Sequence, residues 1–239
     1  MGAGPQILLV ILLVASLLSP AVRAQSPVAV GERQAFWLWS GVRPGDALQN
    51  AQLMYLHQGD ILLQNGLPVF ERKGLPVSKL SFPRLWLTVR FTTLDVPDAM
   101  LERLGRLLQR WQAAGNTVVG LQIDFDAGTH NLDDYGQFLQ RVRATLPPEF
   151  ALGVTGLLDW AKTGSVATLN TLPVDELVVQ SYQGRHTVQH YADYLPALSR
   201  LRIPFKVGIV QNGEWDIQEE TRLSASAWYR GIVVFLLNP

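Results

Sequence analysis

Short apolar runs alternate with longer helical patterns along most of the chain. Eight runs read as strands: residues 36–40, 52–57, 85–91, 118–126, 151–157, 177–182, 205–211 and 232–237. Between several of them apolar residues recur at three- and four-residue spacing, the mark of an amphipathic helix. Residues 97–114 place Leu101, Leu104, Leu108 and Trp111 on one face, and Gly115 ends the pattern. Residues 131–146 carry Tyr135, Phe138, Leu139, Val142 and Leu146 as a stripe, with Asn131 as the expected N-cap and Pro147-Pro148 as the stop. A third helix is expected over 187–201, where Pro196 could kink it, and the patterns over 159–172 and 216–229 are weaker.

Strand alternating with helix implies a parallel sheet. Eight strands imply closure: an α/β fold, a single small (β/α)8 barrel of TIM type over residues 25–239, below the usual size of ~250 residues. The early helices are incomplete. Residues 61–72 read as an irregular hairpin turning at Asn65-Gly66, and no helix pattern follows the eighth strand. An open doubly wound parallel sheet is the alternative these departures leave.

The run from Ile7 to Leu18 is apolar but shorter than the ~20 residues a spanning helix needs. Ser19-Pro20 breaks it, and Val22-Arg23-Ala24 offers small residues at cleavage spacing. Residues 1–24 are therefore expected to be a signal peptide, making the protein periplasmic or secreted, with no stable membrane insertion after cleavage. An uncleaved anchor or a buried helix is the alternative. With 48% hydrophobic and 17% charged residues, the chain can bury a sizeable core and is not a disordered type. Lys+Arg 20 balance Asp+Glu 20, so the basic excess that a nucleic-acid partner demands is missing. The absence of cysteine excludes disulfides, thiolate metal sites and thiol nucleophiles.

Alternation along each strand separates two faces. In the fourth, Val119, Leu121, Ile123 and Phe125 should meet the helices. Val118, Gly120, Gln122, Asp124 and Asp126 should point inward, growing polar toward the carboxyl end. Buried carboxylates need partners or water, and the carboxyl ends of barrel strands are where sites are built. By the same parity Trp86, Thr88 and Arg90 of the third strand, Thr155 of the fifth, Gln180 and Tyr182 of the sixth, and Trp37, Trp39, Tyr55 and His57 of the first two face inward.

Gly120-Leu121-Gln122-Ile123-Asp124-Phe125-Asp126 resembles the fourth-strand signature Asp-x-x-Asp-x-Asp-x-Glu of the chitinase-like barrels, glycoside hydrolase family 18. Gln180-Ser181-Tyr182-Gln183 resembles that family's sixth-strand Met-x-Tyr-Asp. Over most of Phe36 to Pro239 the chain more closely resembles an exported bacterial family, domain of unknown function 3142, in the pattern around Gln122 to Asp126. The chitinase-like resemblance implies that Asp124 positions and polarises the substrate, that Asp126 is the general acid, that Gln122 stands for an assisting Asp, and that Tyr182 supports the reacting sugar. Gln183 replaces an Asp. The acid is one methylene shorter than the family's Glu, which sets it farther from a glycosidic oxygen.

Two carboxyl groups flanking a sugar bond can serve as acid and as base or nucleophile. Asp126 could instead pair with Glu214, beyond the seventh strand, although a solvated loop residue is the plainer reading of Glu214. Asp124 and Asp126 could also form a structural ion network with Arg90. Trp39, Trp160 and Trp215 fall near strand ends and could stack on sugars, with Gln122, Gln180 and Arg90 as further substrate contacts. No His or third carboxylate stands at metal spacing beside Asp124 and Asp126, no phosphate loop appears, and no Gly-x-Ser-x-Gly elbow marks a serine nucleophile. No metal or cofactor is expected. Three classes remain: a hydrolase acting on a glycan, an inactive glycan-binding barrel, and a structural or assembly factor of the envelope.

Overall fold

The computed structural model describes residues 26–43 and 48–238. The expected signal peptide, residues 1–24, lies outside these. In chain order the elements are β1 (Ser26–Pro27), β2 (Ala35–Leu38), β3 (Leu53–Gln64), β4 (Leu67–Arg72), β5 (Leu85–Phe91), α1 (Asp98–Ala113), β6 (Val118–Asp124), α2 (Leu132–Thr145), β7 (Ala151–Leu157), α3 (Trp160–Thr163), α4 (Val166–Asn170), β8 (Glu176–Gln180), β9 (Tyr182–Gln183), β10 (His186–Thr187), β11 (Phe205–Val210), β12 (Glu214–Trp215), α5 (Ile217–Leu223) and β13 (Tyr229–Phe235).

Eight strands, β2, β3, β5, β6, β7, β8, β11 and β13, pair in parallel and close into a barrel. Closure runs through Val234 opposite Phe36 and Phe235 opposite Trp37, while β2 also pairs with β3. The eight parallel strands pair all the way round, with β4 added to β3 outside the ring, so the doubly wound alternative is excluded. The (β/α)8 TIM-type reading holds, with helices short or missing in several connections.

The segment expected as an irregular hairpin is a regular one. β3 runs on to Gln64, and Gly59–Gln64 pair antiparallel with Leu67–Arg72. Asn65 and Gly66 take φ of 51° and 77°, the left-handed pair that a two-residue turn requires. The expected helix over 187–201 is absent. Two 3-10 turns, Tyr191–Asp193 and Leu195–Arg200, replace it. Leu195, Leu198 and Leu201 are buried at three-residue spacing, the period of that tighter helix, and Pro196 sits at its start. Asn131 holds the N-cap position of α2 but makes no side-chain cap bond, because a 3-10 turn over Thr129–Asn131 precedes the helix. In the weaker patterns, Ser165 caps α4 by accepting from the Thr168 amide, and Asp216 caps α5 by accepting from the Gln218 amide.

The strand faces divide the core into two layers. Leu87, Val89, Leu121 and Ile123 join α1 and α2 through Leu104, Leu108, Trp111 and Leu139. Inside the barrel Trp37, Leu53, Tyr55, Trp86, Val178, Val233 and Phe235 pack together. Small residues make the room: a Cβ on Gly208 would lie 2.5 Å from the Phe235 ring, and one on Gly153 3.1 Å from Trp86. The parity expected at the start of β6 is reversed. Val118 belongs to the outer layer and Val119 packs on the inner one. The cause is a register shift, with Leu85 opposite Val118 but Trp86 opposite Gly120, which inserts one residue. From Gly120 onward the expected alternation is kept.

At the amino-terminal end of the interior Lys206 Nζ donates to Tyr55 Oη at 2.9 Å and also to Glu176, to which Tyr55 donates in turn. A buried charge pair of this kind is tolerated because each member is hydrogen bonded.

Candidate functional site

At the opposite, carboxyl-terminal mouth, the inward face of β6 becomes polar in steps. Gln122 lies one layer down and is fully buried. Its Oε1 accepts from Trp37 Nε1 at 2.7 Å and from Thr88 Oγ1 at 3.0 Å. It ties three strands together beneath the mouth and does not line the cleft above. Asp124, the last residue of β6, is 7% exposed, and Thr155 Oγ1 donates to its Oδ1 at 2.6 Å. Asp126, two residues beyond the strand, is exposed.

Asp124 and Asp126 open into a cleft of about 430 Å³ whose walls include Trp37, Trp39, Arg90, Gln180, Tyr182 and Phe235. A second groove of about 420 Å³ runs from Asp126, Gln180 and Tyr182 toward Leu157, Asp159 and Tyr194. Asp126, Gln180, Tyr182 and Gly184 line both grooves and stand at the junction. One wall is a column of rings: Trp37 stacks on Trp39 at 4.8 Å and on Phe235 at 5.0 Å, and Tyr182 tilts against Phe235 at 4.6 Å. The Arg90 guanidinium lies 5.8 Å from the Trp39 ring centre, so its position is set by a cation–π contact and not by an ion pair with either aspartate.

Burial pushes the Asp124 carboxyl up to about 6, against the hydrogen bond from Thr155, and the charge of Asp126 adds to the rise. Burial likewise raises the Tyr182 hydroxyl well above its ordinary value, so it stays a neutral hydrogen-bonding group.

Besides Gln122, three residues expected at the site lie elsewhere. Trp160 is buried at the start of α3, where Nε1 donates to the Ala127 carbonyl at 2.8 Å and the ring meets Tyr135 edge-on. Trp215 is buried, stacks on Tyr191 at 5.1 Å and donates to Glu220 at 2.8 Å. Neither can present a face to a sugar: both sit just past strand ends, where the chain folds back and buries large rings. Glu214 is an exposed residue of the short β1–β12 pair and lines neither groove. Thr155 was legible only as an inward small residue, although its partner Asp124 follows from the pairing of β6 with β7. Arg185, which lines the cleft from the β9–β10 turn, left no signal in the sequence.

Among the described residues no group of three His, Cys, Asp or Glu side chains could hold a metal ion, and no helix is long and apolar enough to cross a membrane. The fold and the mouth together define an α/β barrel with an acidic, aromatic-walled cleft at the carboxyl ends of its strands. Residues 85–197 match the family described as Domain of unknown function (DUF3142), a stretch from β5 into the Leu195–Arg200 turn that holds Arg90, Asp124, Asp126, Gln180 and Tyr182. No curated protein matches the chain.

Proposed function

We propose that the mouth of the barrel binds a glycan and hydrolyses a glycosidic bond in it, and that the protein works outside the cytoplasm. The observation that carries the reading is the placement of two carboxyl groups of unequal burial in one cleft, with Asp126 at its junction with a second groove, beside a stacked aromatic wall. Sugar rings present apolar C–H faces that stack on indoles, and two grooves meeting at Asp126 leave room on both sides of a scissile bond. The apolar run 7–18 and the Val22-Arg23-Ala24 sequence support export. The chitinase-like resemblance supports a carbohydrate substrate.

Burial divides the labour of the two acids. Asp124, with its carboxyl near 6, keeps a proton at mildly acidic pH and can give it to a leaving oxygen. Asp126, open to the groove, is the carboxylate that can meet a water or the anomeric carbon. These roles are the reverse of those the resemblance implies. Arg90 and Tyr182 would orient the sugar from either side, and Gln180 from below. Turnover of a panel of bacterial cell-wall and capsular oligosaccharides tests the reading. It requires turnover in the wild type and loss of turnover, with binding kept, in Asp126→Asn.

A second reading is a barrel that binds glycan without cutting it. The amide at Gln122, locked by Trp37 and Thr88, favours it, since no third carboxylate supports the pair. Binding without turnover in the wild type would select it.

A further inference from the structure

Trp39 separates the acidic cleft from a second cavity of about 500 Å³ at the mouth of the β2–β3 pair. Ser40, one residue beyond Trp39, lines this cavity with His57 and Lys73, and Leu38, Leu56, Leu75 and Phe82 supply an apolar wall. Ser40 Oγ lies 2.7 Å from His57 Nδ1, and His57 Nε2 lies 2.9 Å from Asp60 Oδ1. Lys73 Nζ donates to the other oxygen of Asp60 at 2.7 Å and lies 3.3 Å from Glu71.

The hydrogen-bond directions follow from the chemistry of the partners. Burial would raise the Asp60 carboxyl, but the bonds from Lys73 and His57 outweigh it and hold the group below its ordinary range. An ionised carboxylate only accepts, so the proton of neutral His57 sits on Nε2 and the bare Nδ1 faces the serine hydroxyl. Burial lowers the His57 pKa despite Asp60, which keeps the ring neutral and able to accept. Trp39 stacks on the imidazole at 4.0 Å and 6°, fixing its plane.

The backbone is shaped for this arrangement. Residues 57 and 60 would point to opposite faces of a regular strand. A register shift between His57 and Gly59 brings the two side chains together, the re-aiming for which bulges are used. A Cβ on Gly59 would lie 2.3 Å from the Glu71 carbonyl, so the bulge depends on glycine. Gly41, with φ 84°, follows Ser40 on the cavity wall, and nothing lies within 4 Å of where its Cβ would stand.

We propose that Ser40, His57 and Asp60 form a second hydrolytic site, independent of the acidic cleft, that cleaves a carboxylic ester whose acyl group enters the apolar cavity. Ser40 Oγ bonds to the ester carbonyl carbon while its proton passes to His57 Nδ1. The adduct collapses by breaking the carbon–oxygen bond to the alcohol, which leaves with that proton. Water then attacks the acyl-serine, gives a proton through His57 to Ser40 Oγ, and releases the carboxylic acid. Asp60 stays ionised throughout and acts as a positioning residue.

The test is covalent. The full chain is treated with a fluorophosphonate and the adduct mapped by peptide mass spectrometry, alongside hydrolysis of p-nitrophenyl acetate and butyrate. The proposal expects phosphonylation at Ser40, ester turnover, and loss of both in Ser40→Ala, whose circular dichroism spectrum stays that of the folded wild type. Asp60→Asn, which removes the tautomer restraint, should slow labelling of Ser40 by at least about tenfold, since the tautomer is worth more than that in serine hydrolases. An unlabelled Ser40 in the folded wild type overturns the proposal. So does labelling of Ser40 at an undiminished rate in folded Asp60→Asn. Should Asp60→Asn fail to fold, the wild-type adduct and Ser40→Ala decide alone.

Discussion

Thr155 holds Asp124 from the neighbouring strand: its hydroxyl donates a 2.6 Å hydrogen bond to the carboxyl group at the point where the barrel interior meets the cleft. Burial drives that carboxyl toward its neutral form, and the Thr155 bond opposes the drive. The balance between the two decides when Asp124 carries a proton.

Replacing Thr155 with Val keeps the shape and removes the donor. A hydrogen bond to a charged group contributes about 1.5–3 kcal/mol, so the Asp124 midpoint should climb by about one to two pH units. A carboxyl-carbon NMR titration of wild type and Thr155→Val reads this directly. A midpoint that stays put or falls would show that the bond does not favour the ionised form.

The same carboxyl makes stability depend on pH. Its folded pKa, about 6, lies above the unfolded value of 3.8. The folded state therefore binds the proton more tightly, and its contribution is fully present below about 3.8 and is lost as pH rises through about 6. The shift corresponds to about 3 kcal/mol at most. Asp124→Asn cannot ionise and its Oδ1 still accepts from Thr155. It should be more stable than wild type at pH 7.5, with the difference shrinking toward pH 4.5 in urea melts. A difference that does not vary with pH would mean that Asp124 titrates normally.

The pair at the far end of the barrel offers a test of the fold. Lys206→Met would leave Glu176 buried beside Tyr55 with no counter-charge, at a cost of about 3–5 kcal/mol. The double change Lys206→Met with Glu176→Leu should recover much of the loss. Urea melts of the single and double variants measure this, and a single variant as stable as wild type would show the pair to be solvated.

The fold was legible in the sequence because each barrel strand carries its own alternation. Trp86, Thr88 and Arg90 against Leu85, Leu87 and Val89 separate inside from outside without any knowledge of neighbours. Asp124 stood out because nothing in a barrel interior accounts for a carboxylate at a strand's end. Register was the part that local pattern did not carry. The extra residue at Val119 and the bulge at Gly59 both arise from pairing with β5, a partner distant in sequence from each. The parity of Val118, and the meeting of His57 with Asp60, follow from those bulges. Trp160 and Trp215 were misplaced for a related reason: a tryptophan past a strand end can cover sugar or core, and the choice is made by the return path of the chain.

Trp39 borders both cavities, so its removal should be felt in both. Trp39→Ala deletes the stacking partner of Trp37, His57 and Arg90 at once. A lost stacking face costs on the order of 1 kcal/mol beyond area burial, about fivefold or more in affinity for a bound oligosaccharide. Isothermal titration of the glycan found by the panel reads the loss. Unchanged affinity would move the sugar-binding wall away from Trp39.

The division of labour between the aspartates can be tested by the leaving group. An acid is needed only where the departing oxygen is basic, so loss of the proton donor hurts a natural glycoside far more than one with a nitrophenolate leaving group. With Asp124 as the donor, Asp124→Asn should lose about 10²–10⁴-fold on the natural glycan and much less on a nitrophenyl glycoside of the same sugar. Asp126→Asn removes the carboxylate that meets the water or the anomeric carbon, so it should lose activity on both substrates alike. Azide, a small anion that can occupy the space left by truncation, should restore turnover of the nitrophenyl glycoside in Asp126→Ala and not in Asp124→Ala. The exchanged pattern, with the substrate-dependent loss in Asp126→Asn, would return the roles to those of the chitinase-like barrels. In that case the exposed acid would deliver the proton, and the raised carboxyl of Asp124 would only position the sugar.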